Sequence, residues 1–156
     1  MASVAELKGR PVISLAEGER LGDIREVAID PTARQIAGFV LKGDGGDTYL
    51  PWRNVKKIGP DAVMVDNRTM TERVENADPY ESLAELGKLP VISDAGAQLG
   101  HVENVTFDDV SGALQAFELK SGGVFGIGAK SQSIAMADVV SVGTGAITVA
   151  TAGEAK

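Results

Sequence analysis

The sequence SVAELKGRPVIS at residues 3–14 returns as SLAELGKLPVIS at residues 82–93, with 8 of 12 positions identical at an offset of 79. Self-similarity at a fixed spacing is typical of duplicated structural units. Both stretches open with Ser-x-x-Glu, the capping-box pattern of a helix start, and both close with the strand-like run Pro-Val-Ile-Ser. The repeat therefore predicts two copies of one small domain.

The hairpin that follows is also repeated. LGDIREVAID at residues 21–30 matches LGHVENVTFD at residues 99–108, at an offset of 78, and a second aliphatic run comes after each. Apolar alternation on both sides of an Asp-containing turn predicts two antiparallel strands. Each copy then closes with a matching segment, LPWRNVKKIG at residues 50–59 and IAMADVVSVG at residues 134–143, at an offset of 84.

Short strands, glycine turns and the lack of a long helical pattern predict an all-β fold of two tandem small β-barrels, each closed so that no strand edge is exposed. A short linker helix is expected to begin at Asp78-Pro79, to bury Leu83 and Leu86, and to end near Gly87. The predicted divisions are a first barrel, a linker, a second barrel and a flexible tail, at residues 1–68, 69–81, 82–151 and 152–156.

Composition narrows the class of protein. The chain has no cysteine, so disulfides and thiolate chemistry are excluded. No apolar run approaches the length of about 18 residues that spans a bilayer, and we expect a cytoplasmic protein without direct membrane insertion. Domains of this size bury little surface alone, so the copies are expected to pack together, and homo-oligomers are possible.

The net charge of −7 is unevenly distributed. Residues 1–68 carry ten Lys or Arg and ten Asp or Glu, whereas residues 69–156 carry five against twelve. An acidic second half disfavours direct binding to the phosphates of nucleic acid. It serves solubility or offers a face to a basic protein.

The motifs together resemble the PRC-barrel domain family. They are the Gly-x-Pro-Val-x-Ser-type opening at residues 9–14, the Leu-Gly-x-Ile/Val strand that ends in Asp, the second aliphatic strand, and the Leu-Pro-Trp-x-x-Val-x-x-Ile-Gly close at residues 50–59. Copy two repeats this order, although Ala135-Met136 replaces Pro51-Trp52. Its sequence GGVFGIG at residues 122–128 is similar to a glycine-rich hairpin loop of bacterial members.

The resemblance implies a non-enzymatic protein-binding or assembly module without a cofactor and with a protein partner that the sequence does not name. Two alternatives come with the family. One is an accessory role in ribosome or RNA maturation, and the other is an accessory role in a photosynthetic or other membrane complex. The basic residues from Arg53 to Lys57 favour the ribosome or RNA alternative. The membrane-complex alternative rests on the resemblance alone, because the sequence contains no membrane anchor to support it.

Residues of catalytic type have simpler structural interpretations. His101 is the one histidine, which is too few for a zinc site. Asp108 and Asp109 fit a β-turn better than an acid–base pair, because Asp30 holds the equivalent place in copy one. The sequence DGGD at residues 44–47 is too short for a calcium loop and predicts a hairpin tip.

Two clusters are the candidate partner-binding residues. Val124, Phe125 and Ile127 lie on the glycine-rich loop that copy one lacks, where they either cover their own barrel or contact a partner. Trp52 and Arg53 combine an aromatic ring with a cation, a composition enriched at binding hot spots. The alternative for Trp52 is that it plugs the end of the first barrel.

Overall fold

The structure, a computed structural model, describes residues 2–120 and 131–150. Strands dominate it and form two sheets, one for each copy, which confirms the all-β class. The predicted tail at residues 152–156 lies outside the described residues.

The elements of the first part of the chain are β1 (Ala2–Ser3), α1 (Val4–Leu7), β2 (Pro11–Ser14), β3 (Arg20–Asp30), β4 (Gln35–Gly43), β5 (Gly46–Pro51), β6 (Lys57–Ile58), β7 (Val63–Val65) and β8 (Glu72–Arg73). The sheet of copy one contains seven of these strands in the order β6-β7-β2-β3-β4-β5-β8. Strands β2 and β7 pair in parallel and all other neighbours in this sheet are antiparallel.

The elements of copy two are α2 (Leu83–Gly87), β9 (Pro90–Ser93), β10 (Gln98–Phe107), β11 (Leu114–Lys120), β12 (Ser131–Ala135), β13 (Val139–Val142) and β14 (Ile147–Val149). Its sheet has the strand order β12-β11-β10-β9-β14-β13, and β1 from the start of the chain pairs with β10. Single 3-10 turns follow β5 at Trp52–Asn54 and β12 at Met136–Asp138.

The hairpins are where the sequence placed them, but the closed barrels are not formed. In both copies the two long strands pair antiparallel across an Asp turn. The Asp30 and Asp108 carboxylates each accept two backbone amides of that turn, at 2.8 to 3.0 Å. Within residues 2–120 and 131–150, however, each sheet is an open path with two ends, so the expectation of full closure is wrong for the part described.

The helix starts follow the repeated serines. Ser3 and Glu6 form the capping box in both directions, and Gly9 adopts a positive φ of 87° after the turn. The prediction that Asp78-Pro79 begins the second helix is wrong. Ser82 is the N-cap and accepts the Glu85 amide at 3.1 Å, because the Ser-x-x-Glu pattern supplies a better-placed acceptor than Asp78 does.

The predicted linker contributes to the first sheet. Glu72 and Arg73 pair with Tyr49 and Thr48 on β5, although the stretch is polar and lacks strand alternation. Beyond β8 the chain crosses the outer face of this sheet, where Val74, Ala77 and Tyr80 pack on the residues beneath. One core, formed by the inner faces of both sheets, then connects the copies, with Phe39, Phe107 and Phe117 at most 1% exposed.

Candidate functional site

The two copies meet in a short antiparallel ladder. The Ile36 amide donates to the Gly112 carbonyl at 2.8 Å, and the Leu114 amide donates to the Arg34 carbonyl at 2.9 Å. Ile36 is equivalent to Leu114 and Arg34 to Gly112 at the repeat offset of 78, so the second hydrogen bond is the equivalent of the first with the copies exchanged. The copies are therefore related by a local pseudo-two-fold axis that passes between Gln35 and Ala113.

The segment before each short helix is exchanged between the copies. Ala2 pairs with Phe107 of copy two, and Glu81, its equivalent at an offset of 79, pairs with Ile29 of copy one. The Ile29 and Glu81 backbones exchange both hydrogen bonds at 2.8 Å. Each copy thus supplies a strand segment to the other's long hairpin, which fixes the relative position of the two sheets.

On one side of the axis, Arg34 crosses from copy one to copy two. It holds a left-handed backbone conformation, with φ at 57°. Its half-buried guanidinium donates to the carbonyl oxygens of Met136 and Val139, both at 2.7 Å. These carbonyls belong to the 3-10 turn that follows β12, so the arginine caps that turn.

On the other side, an indole ring takes the place of the arginine. Gly112, the equivalent of Arg34, has a φ of 80°, and the Trp52 ring lies over it. A Cβ at Gly112 would come within 2.8 Å of the indole. The ring centroid of Trp52 is 6.1 Å from that of Phe39 and 6.0 Å from that of Phe107 in copy two. Trp52 is therefore half-buried between the copies, and it contributes to the lining of two clefts.

The larger cleft, which we call the Tyr49 cleft, has a volume of about 460 Å³. Carboxylates and aromatic rings contribute most of its functional groups. The side chains that matter here are those of Asp30, Tyr49, Trp52, Arg53, Glu72 and Asp78. Three carboxylates against one guanidinium give this lining a net charge of −2, and the other lining residues are neutral.

Tyr49 is the buried member of this lining. Its side chain is 4% exposed and lies directly against Gly38, where a Cβ would come within 2.6 Å of the hydroxyl. In the described part of the chain, no residue shares a hydrogen bond with that hydroxyl. Burial first, and then the negative charges that include Asp78 and Glu72, raise the pKa of Tyr49 to about 12. Tyr49 is therefore a neutral hydroxyl at physiological pH.

The walls of the cleft come from the polar stretch after copy one. Tyr80 stacks on Tyr49 at 6.4 Å and 12°, and its hydroxyl donates to Glu26 at 3.3 Å. Burial, followed by the charge of Glu26, raises the pKa of Tyr80 as well. Arg53, whose side chain is mostly exposed, forms an ion pair with Glu72 at 2.7 Å.

The smaller cleft, which we call the Val110 cleft, is also lined by Trp52 and has a volume of about 260 Å³. Copy one supplies Lys56 and Lys57, and copy two supplies Val110, which is 86% exposed. Lys56 also forms an ion pair with Asp66 at 3.3 Å. An apolar side chain in this position, with cations beside it, forms a surface that spans both copies.

The candidate residues from the sequence fall in different places. The predicted cluster of Trp52 and Arg53 lies at the junction of the copies, and Val124, Phe125 and Ile127 lie outside the described residues. His101 is part of β10, opposite Lys120. The DGGD stretch forms the turn between β4 and β5, as predicted.

The sequence reading missed Tyr49, Glu72 and Asp78. Tyr49 sits in an apolar strand pattern and the two carboxylates sit in a stretch interpreted as a linker. The one available signal was in the repeat, since copy two has Ser133 where copy one has Tyr49.

Across residues 2–120 and 131–150, no three His, Asp or Glu side chains come close enough together to hold a metal ion. No helix within those ranges is long and apolar enough to cross a membrane.

The fold and its junction define a duplicated small β-domain protein. The PRC-barrel domain model matches residues 1–70 and again residues 79–156. The chain belongs to the PRC-barrel domain family, as the resemblance in its motifs predicted.

The curated relatives match a single copy. A probable sporulation protein, YlmC, of Bacillus subtilis is 31% identical over 74 residues, which cover 42% of this chain and 91% of the relative. An uncharacterized protein of Clostridium acetobutylicum is 28% identical over 72 residues, with 41% of this chain and 83% of the relative covered. The uncharacterized protein YmxH of Bacillus subtilis is 25% identical over 73 residues, with 40% and 86% covered. Each relative is thus about the length of one copy, whereas this chain has two.

Proposed function

We propose that the protein is a non-enzymatic assembly module of the cytoplasm that binds a protein partner across the junction of its two copies. The observation that carries this proposal is the position of Trp52. Its ring is held by Phe39 in one copy and Phe107 in the other, and it lines both the Tyr49 cleft and the Val110 cleft. A half-buried tryptophan on a rigid support, with arginine beside it, has the composition and placement of a binding hot spot.

The buried polar groups support a binding role over catalysis. The buried serines in the described part of the chain are Ser14, Ser82 and Ser93. Each hydroxyl accepts a backbone amide of its own turn, from Glu19, Glu85 and Ala97 respectively, at 3.1 to 3.2 Å. A serine nucleophile needs a neighbouring base within hydrogen-bond reach, and these three serve turn geometry instead.

The charge at the junction favours a protein partner over RNA. Two of the basic residues that motivated the ribosomal alternative, Arg53 and Lys56, form ion pairs with Glu72 and Asp66. Their positive charge is partly compensated, and the second half of the chain is acidic. Binding to a phosphate backbone depends on uncompensated cations, so this surface is poorly suited to it.

Site-specific photo-crosslinking in the native host tests the proposal. The photoreactive p-benzoylphenylalanine replaces Val110, which is 86% exposed in the Val110 cleft, and in a matched control it replaces Leu15, which is 53% exposed and lines neither cleft. We expect position 110, but not position 15, to give a defined protein crosslink that survives RNase.

Three other outcomes would overturn the proposal. Crosslinks that disappear with RNase would favour the ribosome or RNA alternative. Crosslinks only to a second copy of this chain would show an oligomer contact in place of a partner. Equal crosslinking from both positions would show that the junction has no special role.

A further inference from the structure

The Tyr49 cleft has features that the proposed function does not use. Its base is a tyrosine hydroxyl on a side chain that is 96% buried, and no described residue shares a hydrogen bond with it. The hydroxyl oxygen itself reaches the cleft, so a donor that enters the cleft can complete its hydrogen bonding. The fit of Tyr49 against Gly38 shows that the sheet is shaped around this ring.

The negative net charge of the cleft favours a ligand with a positive charge. Asp30, Glu72 and Asp78 surround the opening, and Arg53 offsets one of them. The three carboxylates are not grouped closely enough to coordinate a metal ion. Oxygen acceptors spread around a cleft instead suit an extended cation with several N–H donors.

The aromatic rings that line the cleft favour a ligand with a flat cationic group. Trp52 and Tyr49 both line the cleft, and aromatic rings attract a lysine or arginine head group beside them. A guanidinium is planar and presents five donors, so it can stack on a ring and reach two acceptors at once.

We infer that the Tyr49 cleft binds a lysine or arginine side chain of a protein partner, with arginine preferred. The carboxylates of Asp78 and Glu72 and the Tyr49 hydroxyl accept its hydrogen bonds, and Trp52 contacts its flat face. This inference rests on the proposed function, because it assigns the chemistry of the partner that a binding module of this kind recognises.

Copy two does not repeat the aromatic and basic residues of this lining, which makes the inference specific to copy one. The equivalents of Tyr49, Trp52 and Arg53 are Ser133, Met136 and Ala137. Asp30 has a matching carboxylate in Asp108, and each of the two accepts two amides of its own turn, so the difference between the copies lies in the aromatic and basic positions.

The test is an NMR titration of the full chain, labelled with 15N, against small probes. Nα-acetyl-arginine amide is compared with Nα-acetyl-citrulline amide, which has nearly the same shape but no charge. We expect the arginine probe to shift the amide signals of residues such as Gly38, Tyr49 and Glu72, with a Kd on the order of millimolar. The citrulline probe should leave these signals in place.

Three variants locate the binding. Asp78→Asn removes one exposed acceptor and should weaken arginine binding about tenfold, the effect of losing one charge-assisted hydrogen bond. Tyr49→Phe keeps the ring against Gly38 and removes only the hydroxyl, and it should weaken binding to a smaller extent. Glu75→Gln is the control, since it makes the same charge change on the same segment but does not line the cleft.

Equal shifts with arginine and citrulline, or equal weakening by Asp78→Asn and Glu75→Gln, would overturn the inference, as would shifts spread over the whole acidic surface. Comparison with the crosslinking separates the two proposals. If the probes fail while position 110 still crosslinks to a protein, the cleft assignment is wrong and the assembly module stands. If position 110 gives no protein crosslink while arginine binds, the cleft remains a cation site and the proposed function fails.

Discussion

The two sides of the pseudo-two-fold axis have the same backbone conformation, but different side chains connect the copies there. Arg34 and Gly112 occupy equivalent turn positions, both with positive φ, yet one projects a guanidinium onto the opposite copy and the other accepts an indole ring from it. On the polar side, two nitrogens of the Arg34 guanidinium donate to carbonyls and cap a turn of copy two. The aromatic side leaves part of Trp52 exposed, and this is the side on which both clefts lie.

The outer faces of the two sheets also differ, because the face is apolar and aromatic in copy one and polar in copy two. Copy one has Ala28, Val40 and Tyr49 there, covered by residues of the predicted linker, and all three are buried. The equivalents in copy two are Thr106, Glu118 and Ser133. An apolar outer face is present where a later segment of chain crosses it, so the duplication kept the inner core and allowed the outer surface of each copy to change.

The largest effect is expected from placing a side chain at the aromatic side of the axis. Gly112→Ala combines strain at a φ of 80° with a contact of 2.8 Å to the Trp52 ring, and we expect a loss of about 3 kcal/mol in the free energy of unfolding. Chemical denaturation measures it. Gly96→Ala, at a φ of 83° but in open space, should lose only about 1 kcal/mol. Equal losses for both variants would show that Trp52 moves aside freely and does not fix the junction.

A substitution at Arg34, on the polar side of the axis, should reduce the free energy of unfolding by less than Gly112→Ala does. Arg34→Met removes two half-buried, charge-assisted hydrogen bonds to copy two, and a loss of about 2 kcal/mol is expected by the same measurement. In the control, Arg20→Met breaks only the exposed ion pair with Asp23 and should change stability by less than about 0.5 kcal/mol. If Arg34→Met were as mild as its control, the comparison between the two sides would fail.

The smallest effect concerns the outer faces and appears only at high pH. The pKa of Tyr49 is about 12 in the folded chain and 10 without the fold, so the unfolded chain loses this proton first. Stability from this group is complete below pH 10 and falls as the pH rises toward 12. Tyr49→Phe should flatten that decline in denaturation curves recorded between pH 9 and 11.5. A decline of unchanged slope would assign the effect to other groups.

Much of the fold was predictable because the repeat carries it. The hairpins, the Asp turns and the Ser3 capping box depend on local sequence, and each has a clear local pattern. Long-range pairing has no such pattern. Nothing near Arg34 in the sequence indicates that its guanidinium reaches the Met136 carbonyl, 102 positions further along the chain.

The candidate site was predictable only in part, for the same reason. Trp52 and Arg53 stand out by residue type, whereas Glu72 and Asp78 acquire meaning only when their segment lies against β5. The predicted closure of the barrels was wrong within the described residues, since strand number and length do not fix whether the end strands meet.

The exchanged segments set an order for folding during synthesis. Ala2 can pair only after Phe107 has been made, and Ile29 only after Glu81. At the usual rate of about 5 to 20 residues per second, the first strand waits roughly 5 to 20 s for its partner. During that interval the first strand lacks its partner segment on β10. A neighbouring nascent chain could supply the same segment, so a crowded polysome is where swapped dimers of this protein are expected to arise.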